Sequence, residues 1–428
     1  MAPPSELESR VLSKVTRRLI PFVFVCYVIA YIDRVNIGFV NKVLQTDLAL
    51  SPEAFGFGAG LFFWGYFLFE IPSNLILERV GARVWIARIM IVWGFVSMAM
   101  IFVTGKWSFY GLRVLLGLAE AGFFPGIVLY LTYWLPARVR AKNNALFLTA
   151  GPVAMLIGDP LSHGLLQLHG VLGLKGWHWV FLVEGFPAVV LGLMALKFLT
   201  DKPEDARWLD PEERAWLSEE MARERAQRSA AQHGSTLQSL LNWKVWVLCA
   251  FYFLQATVTY GVFIWLPKIL QDARGGKAGF GFTAIIFGIA IVAMVLIGRH
   301  SDRTGERKLH VAACALVACL GLVLASFSLT SAALLVAFFT ICQIGQRSIL
   351  APFWTIPPLF LGGTAAAAGI ALINAVGNLG GGAGTWVIGF GNKLTGGYQG
   401  GLLVLAAAAF VQSILVLLIR LPARKPAV

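Results

Sequence analysis

In the run Tyr31-Ile32-Asp33-Arg34-Val35-Asn36 an acid, a guanidinium and an amide interrupt a stretch otherwise apolar enough to cross a membrane. A charged side chain near the bilayer centre costs about 2.5–3.5 kcal/mol on insertion scales, so it faces a bundle interior or a water-filled cavity and marks a path for an ion or solute. Arg113 and Glu120 form a second such set. They are seven residues apart, hence two turns along one helix face, with Gly117 between them leaving room for a neighbour or a solute. At 1.5 Å per residue, Asp33 stands about 21 Å above the near end of its span, Arg113 about 27 Å and Glu120 about 16 Å, a common level. A guanidinium grips a carboxylate through two parallel N–H donors. A carboxylate in a low-dielectric cavity changes its proton affinity as the cavity opens, closes or fills. Such a set can couple an anion to a proton. The alternative is a fixed interhelical clamp of buried charges, which is often no better than apolar packing.

Twelve apolar segments position these residues, at roughly 19–40, 54–77, 83–104, 108–132, 141–168, 178–199, 243–267, 279–299, 308–328, 332–356, 364–390 and 401–420, each near the ~20 residues a spanning helix needs. With 58% hydrophobic and 13% charged residues and a mean hydropathy of +0.74, the 428-residue chain reads as a polytopic membrane protein. Its net charge of +13 does not call for a nucleic-acid partner, because the basic residues sit in short clusters between the spans. On one side lie Arg10, Lys14, Arg17, Arg18, Arg79, Arg83, Arg88, Arg138, Arg140, Lys142, Arg299, Arg303, Arg307, Lys308, Arg420, Arg424 and Lys425, seventeen cations; the opposite loops hold seven. The positive-inside bias therefore puts both termini in the cytosol. No cleavage site follows the first apolar stretch, which is expected to be kept as the first span. The five cysteines all lie in apolar runs without metal-ligand spacing and read as small buried hydrophobes. No metal site is expected. Nor is there a G-x-x-x-x-G-K-[ST] loop, so ATP bound to this chain is not the energy source.

Residues 201–242 change composition abruptly and hold nine of the 22 acidic residues. They separate an expected N-terminal six-helix bundle, 1–200, from a C-terminal one, 243–428. Asp210, Pro211 and Glu213 stand as N-cap, first helical residue and capping-box partner of an amphipathic helix expected along the inner membrane surface. The halves also repeat one another: Asn74-Leu-Ile-Leu-Glu78-Arg79-Val-Gly81-Ala-Arg83 aligns with Gly298-Arg-His-Ser-Asp302-Arg303-Thr-Gly305-Glu-Arg307, each after the second span of its half. The pattern G-x-x-x-[DE]-R-x-G-x-R resembles the loop signature of the major facilitator superfamily, with Asn74 departing from its glycine. "YIDRVNIGF" at 31–39, "RVLLGLAEAGFFPG" at 113–126, "DKPEDARWL" at 201–209, "PFWTIPP" at 352–358 and "GIALINAVGNLGG" at 369–381 resemble the anion:cation symporter family within it. The likeness covers nearly the whole chain.

The resemblance implies an all-α major facilitator fold of 12 transmembrane helices in two pseudo-symmetric bundles, and proton-coupled uptake of a small organic anion across a bacterial inner membrane by alternating access. A hydroxy-dicarboxylate such as tartrate is the expected substrate; a sugar-acid or aromatic monocarboxylate, drug efflux and a transporter-like solute sensor are the alternatives. Resemblance and spacing together make Arg34 the substrate carboxylate's partner, pair Asp33 with Arg113 and make Glu120 the proton carrier. Tyr66, Trp354 and Asn374 are expected by resemblance to line the cavity, and Tyr31, Gln255, Tyr260 and Asn378 stand where they could. Arg347, seven residues before Trp354 on one helix face, is a candidate for a second carboxylate, the alternative being neutralisation by an acid such as Glu70. Glu78, Arg79, Asp302 and Arg303 are expected to gate the cytosolic side. Glu70 and Glu184 are read as structural groups, Asp159 as a group that titrates or satisfies backbone at Pro160, and His163 and His169 as surface groups. The expected partners are the substrate and the bilayer, with no cofactor beyond the coupling proton; the chain is expected to act as a monomer and not as an enzyme.

Overall fold

A computed structural model describes residues 6–136, 139–140, 143, 146–147, 149–230, 242–275, 281–357 and 363–419. The described residues form helices and turns, with no strand among them. The first half comprises α1 (Glu6–Phe39), the short α2 (Asn41–Asp47), α3 (Pro52–Val80), α4 (Ala82–Met98), α5 (Lys106–Glu120), α6 (Phe123–Trp134), α7 (Ala150–Leu166) and α8 (Gly176–Phe198). A linker helix α9 (Pro211–Ala230) leads to α10 (Trp243–Ala273), α11 (Phe282–Thr304), α12 (Arg307–Ser326), α13 (Ala332–Phe353), α14 (Gly363–Thr395) and α15 (Gln399–Leu418). Ten segments are long and apolar enough to cross a membrane, α5 and α6 together counting as one; α7 and α14 complete twelve. In lipid every backbone polar group must be satisfied within the segment, which is why the apolar runs become helices.

The fourth span differs from the continuous helix expected over 108–132. It breaks at Ala121 and Gly122, the latter at φ 85°, and Ser73 of α3 donates to the Ala121 carbonyl at 2.7 Å. Trp85 in turn donates to Ser73 at 2.9 Å. A neighbouring helix thus satisfies the carbonyl that the break releases. The two copies of the internal repeat share a reason for their glycines: Gly81 and Gly305 end α3 and α11 at φ 99° and 71°, the left-handed region that a side chain resists. Asp201 then caps α4, accepting from the Arg83 backbone at 2.8 Å.

The linker helix starts as its cap residues dictate, Glu213 accepting from the Asp210 backbone N–H at 3.1 Å. It is anchored to α1 by Lys14, bound to Asp210 at 3.1 Å and to Glu213 at 2.7 Å, and by Arg10, 3.0 Å from Glu213. The Lys14 hydrogen bond and charge hold the Asp210 carboxyl below its usual range.

The two halves meet tightly at the end remote from the termini. A Cβ on Gly60 of α3 would lie 2.8 Å from the Gly382 carbonyl of α14, and one on Gly389 would lie 2.4 Å from the Pro52 carbonyl. Absent side chains let the backbones touch. Asn41 donates to the Ile264 carbonyl at 3.3 Å, Lys42 pairs with Asp272 at 3.0 Å and Lys393 with Glu53 at 2.6 Å. These ion pairs, the Asn41 bond and the backbone contacts seal the remote end. Gly60→Val is expected to break the seal, because its Cβ cannot share space with the Gly382 carbonyl. Alkylation of a cysteine introduced as Thr385→Cys, a position buried in the seam, should speed up in that variant; an unchanged rate would mean the seam does not close the protein.

Candidate functional site

The charged residues converge where α1, α5 and α10 meet. Arg34 lies one residue after Asp33, so roughly 100° further around α1, and the two side chains reach different neighbours. Arg34 is ion-paired with Glu120 at the end of α5 and donates to the Tyr260 hydroxyl of α10 at 3.3 Å. Its guanidinium lies over the rings of Tyr31 at 5.6 Å, Tyr66 at 5.3 Å and Phe62 at 5.5 Å. All of these but half-buried Tyr31 are buried. Aromatic faces hold the guanidinium plane while leaving its N–H edge free for acceptors.

Asp33 does not pair with Arg113, which corrects the expected link. Its carboxylate accepts from Trp93 at 2.7 Å and Ser97 at 3.0 Å, both on α4, and from Asn36 at 3.4 Å. Neutral donors on α4 occupy the oxygens that Arg113 would need. Arg113, wholly buried, donates to the Ala59 carbonyl at 3.1 Å and lies over Phe62 at 5.1 Å. Its Nε and Nη1 have no hydrogen-bond acceptor among the described residues.

Arg347 is 8% exposed and has no carboxylate partner among the described residues. It lies 4.3 Å from the Phe263 ring centroid, donates from Nε to Gln343 at 3.4 Å and leaves Nη2 unpartnered. Together with Tyr31, Gly151, Met155, Phe263, Phe287 and Ile291 it lines a cavity of about 10 Å³, room for one water molecule. Tyr31 stands at both arginines. Glu70 does not neutralise Arg347; it accepts instead from Asn374 of α14 at 3.2 Å, a bond between the halves, and from Asn378. Trp354 is corrected too. Trp354 caps the tenth span, its N–H still bonded to the Leu350 carbonyl at 3.2 Å, and packs on Tyr252 and Phe353 at 4.9 and 5.2 Å; it is not among the residues that line the small cavity at Arg347.

The remaining candidates divide by place. Glu78, Arg79 and Arg303 are exposed and join no ion pair among the described residues, whereas the Asp302 side chain lies outside them. Gln255 belongs to a network within the second half, donating to the Gln346 carbonyl at 3.0 Å and accepting from Gln412 at 2.8 Å. Glu184, buried inside the first half, accepts from Ser162 at 2.6 Å and stands near Asn36 and Asp33. His163 is more than a surface group: its Nδ1 is 2.9 Å from an oxygen of buried Asp159, one turn away. Residue reasoning missed Trp93 and Ser97, which look like ordinary span residues. Their only signal is polarity in an apolar run.

Residues 23–385 match the model of the Major Facilitator Superfamily. The chain belongs to that superfamily of transporters. One relative, named "Putative tartrate transporter", from Agrobacterium vitis, is 49% identical over 97% of this chain and 92% of its own. A quinolone resistance transporter of Acinetobacter baumannii is 40% identical over 94% and 93%. Among solved structures the inward-open xylose transporter XylE from E. coli is similar in fold, with a TM-score of 0.74 at 16% identity, over 94% of this chain and 96% of that one.

Breaking a buried ion pair costs about 3–5 kcal/mol because one charge is left alone, while replacing both partners by apolar groups is often neutral. Arg34→Met and Glu120→Leu are each expected to lower the unfolding temperature in detergent, and the double variant to unfold above either single one. A double variant less stable than both would disprove the pairing.

Proposed function

We propose that this transporter is a proton-coupled symporter importing a hydroxy-dicarboxylate such as tartrate by alternating access across a bacterial inner membrane, with both termini cytosolic. The observation that carries the proposal is the Arg34–Glu120 pair, which also reaches Tyr260 across the junction of the halves. Glu120 occupies the guanidinium edge that a substrate carboxylate needs. A proton on Glu120 neutralises it and frees that edge; the anion takes its place, so proton and anion bind together. When the proton leaves toward the cytosol, Glu120 competes for Arg34 again and the anion is expelled. Asp33, one residue away, is the second carboxyl of the coupling set, and Arg113 supplies the positive potential that keeps an anion in the site.

Two carboxylates fit better than one. Arg34 stands on the first half and Arg347 on the second, with Tyr31 at both. An anion held between them ties the halves together, so its binding energy favours the closed arrangement. Tyr66 and Asn374 are the groups for hydroxyl recognition, and Trp354 acts on the site through Tyr252. The gating roles of Glu78, Arg79, Asp302 and Arg303 belong to the conformation in which the cytosolic side is closed. The printed name of the Agrobacterium relative agrees with the substrate class. Export of a quinolone is the second reading, favoured by the name of the Acinetobacter relative.

The test is uptake of labelled tartrate by the purified protein in liposomes under an imposed proton gradient. Uphill accumulation is expected; binding without transport would favour a solute sensor, and quinolone movement against tartrate inertness would favour export. Glu120→Gln should abolish uphill accumulation but keep tartrate exchange, since an amide of the same size cannot carry the proton. Normal pH-dependent uptake in that variant would sink the assignment. For Arg347→Gln the expected loss of affinity is about tenfold or more for tartrate and succinate, the scale of one charge-assisted contact, and small for a monoacid of similar size. Equal losses would reject the second carboxylate and point to a sugar acid or aromatic monoacid.

A further inference from the structure

The family-like segment Asp201-Lys-Pro-Glu-Asp-Ala-Arg-Trp-Leu209 takes no part in the central site. It forms one wall of a cavity of about 830 Å³ at the terminal end of the first half. The other walls are α1 at Arg18, the start of α4 at Arg83, the end of α8 at Lys197 and the linker helix at Arg214. The cavity is lined mainly by polar surface and lies where the spans leave the bilayer.

Its charges do not cancel. Arg83 is engaged by Asp201, its backbone N–H at 2.8 Å and its Nε at 3.6 Å. That leaves Arg18, Lys197, Arg207 and Arg214 against Glu204 and Asp205, and none of the four cations has a carboxylate within 4.0 Å among the described residues. Arg18 is also held in a set orientation. Its guanidinium lies 4.5 Å from the Phe198 ring and 4.9 Å from the Trp208 ring, and Trp208 stacks on buried Trp134 at 5.5 Å. Rings that fix the guanidinium plane leave its donor edge toward the cavity, and Arg18 Nε is buried with no acceptor. Four like charges gathered on separate elements repel one another in the absence of an anion.

We propose that this cavity binds a phosphate group, with Arg18 as the oriented donor and Arg207, Arg214 and Lys197 neutralising the charge. Phosphate presents several acceptor oxygens to a multi-arginine site, and arginine forks match its geometry. The group can come from the head of an anionic phospholipid at the membrane edge or from a soluble phosphate ester. The site is separate from Arg34 and does not depend on the transport reading.

The experiment uses the full chain in detergent. Native mass spectrometry compares retention of phosphatidylglycerol and phosphatidylcholine, and thermal unfolding is followed with inorganic phosphate or glycerol 3-phosphate against chloride at equal ionic strength. Retention of phosphatidylglycerol over phosphatidylcholine, weakened about tenfold or more in Arg18→Gln/Arg207→Gln, identifies a lipid headgroup. A rise in unfolding temperature with phosphate or glycerol 3-phosphate, absent from the variant and without lipid preference, identifies a soluble ester. The absence of both a lipid preference and a phosphate-dependent rise in the parent overturns the proposal, as does either effect persisting unchanged in the variant. Lys197→Gln, whose side chain is exposed, provides the same comparison if the double variant does not fold.

Discussion

A buried guanidinium must be answered by an acceptor, and here the answer comes from two other helices at once. Arg34 on α1 is met by Glu120 on α5 and Tyr260 on α10. Because an uncompensated charge is far costlier than an apolar side chain at that depth, this requirement draws both halves to one point. The aromatic residues around it exclude water and hold the guanidinium flat. The break after Glu120 belongs to the same arrangement: it ends α5 beside the acid, with the Ser73 hydroxyl donating to the freed Ala121 carbonyl.

The seal at the remote end follows a different principle. There the halves approach through glycines on α3 and α14, and the gap between backbones is too small for a Cβ. Contact without side chains has little rotamer entropy to lose and no flexible group to relax, so it is either made or not made. Around it stand ion pairs, Lys42–Asp272 and Lys393–Glu53, which gain from closeness but tolerate separation because their partners reach water. Such a combination suits an interface that must open and reclose. At the other end the motif residues Glu78, Arg79 and Arg303 are exposed.

The connection between the halves is anchored and not loose. Lys14 and Arg10 bind the beginning of the linker helix, and Asp201 caps α4, so the linker follows the first half as a body. Motion between the halves then falls on the seams between spans. The same anchoring builds the cationic cavity, since Arg207 and Trp208 are placed beside Arg18 only because the linker is tied down on both sides of them.

Much was legible in the sequence for physical reasons. Hydrocarbon admits only internally satisfied segments, so span number follows from hydropathy; the repeated Gly81 and Gly305 motifs report two helix ends that each need a positive φ; the cap of the linker helix follows from Asp210, Pro211 and Glu213. Charge inside an apolar run was enough to select Arg34, Glu120 and Arg347. Which charge meets which was not. Asp33 and Arg113 share a level along their helices, yet the rotation of α1 turns Asp33 to Trp93 and Ser97, and only the packing of α4 supplies those donors. Helical spacing likewise put Trp354 with Arg347, but its ring packs on Tyr252 and Phe353 and is not part of the Arg347 cavity lining. Heights along an axis come from counting residues. Partners come from how each helix is rotated against its neighbours, which is decided by side chains distant in sequence and is fixed only in the packed bundle.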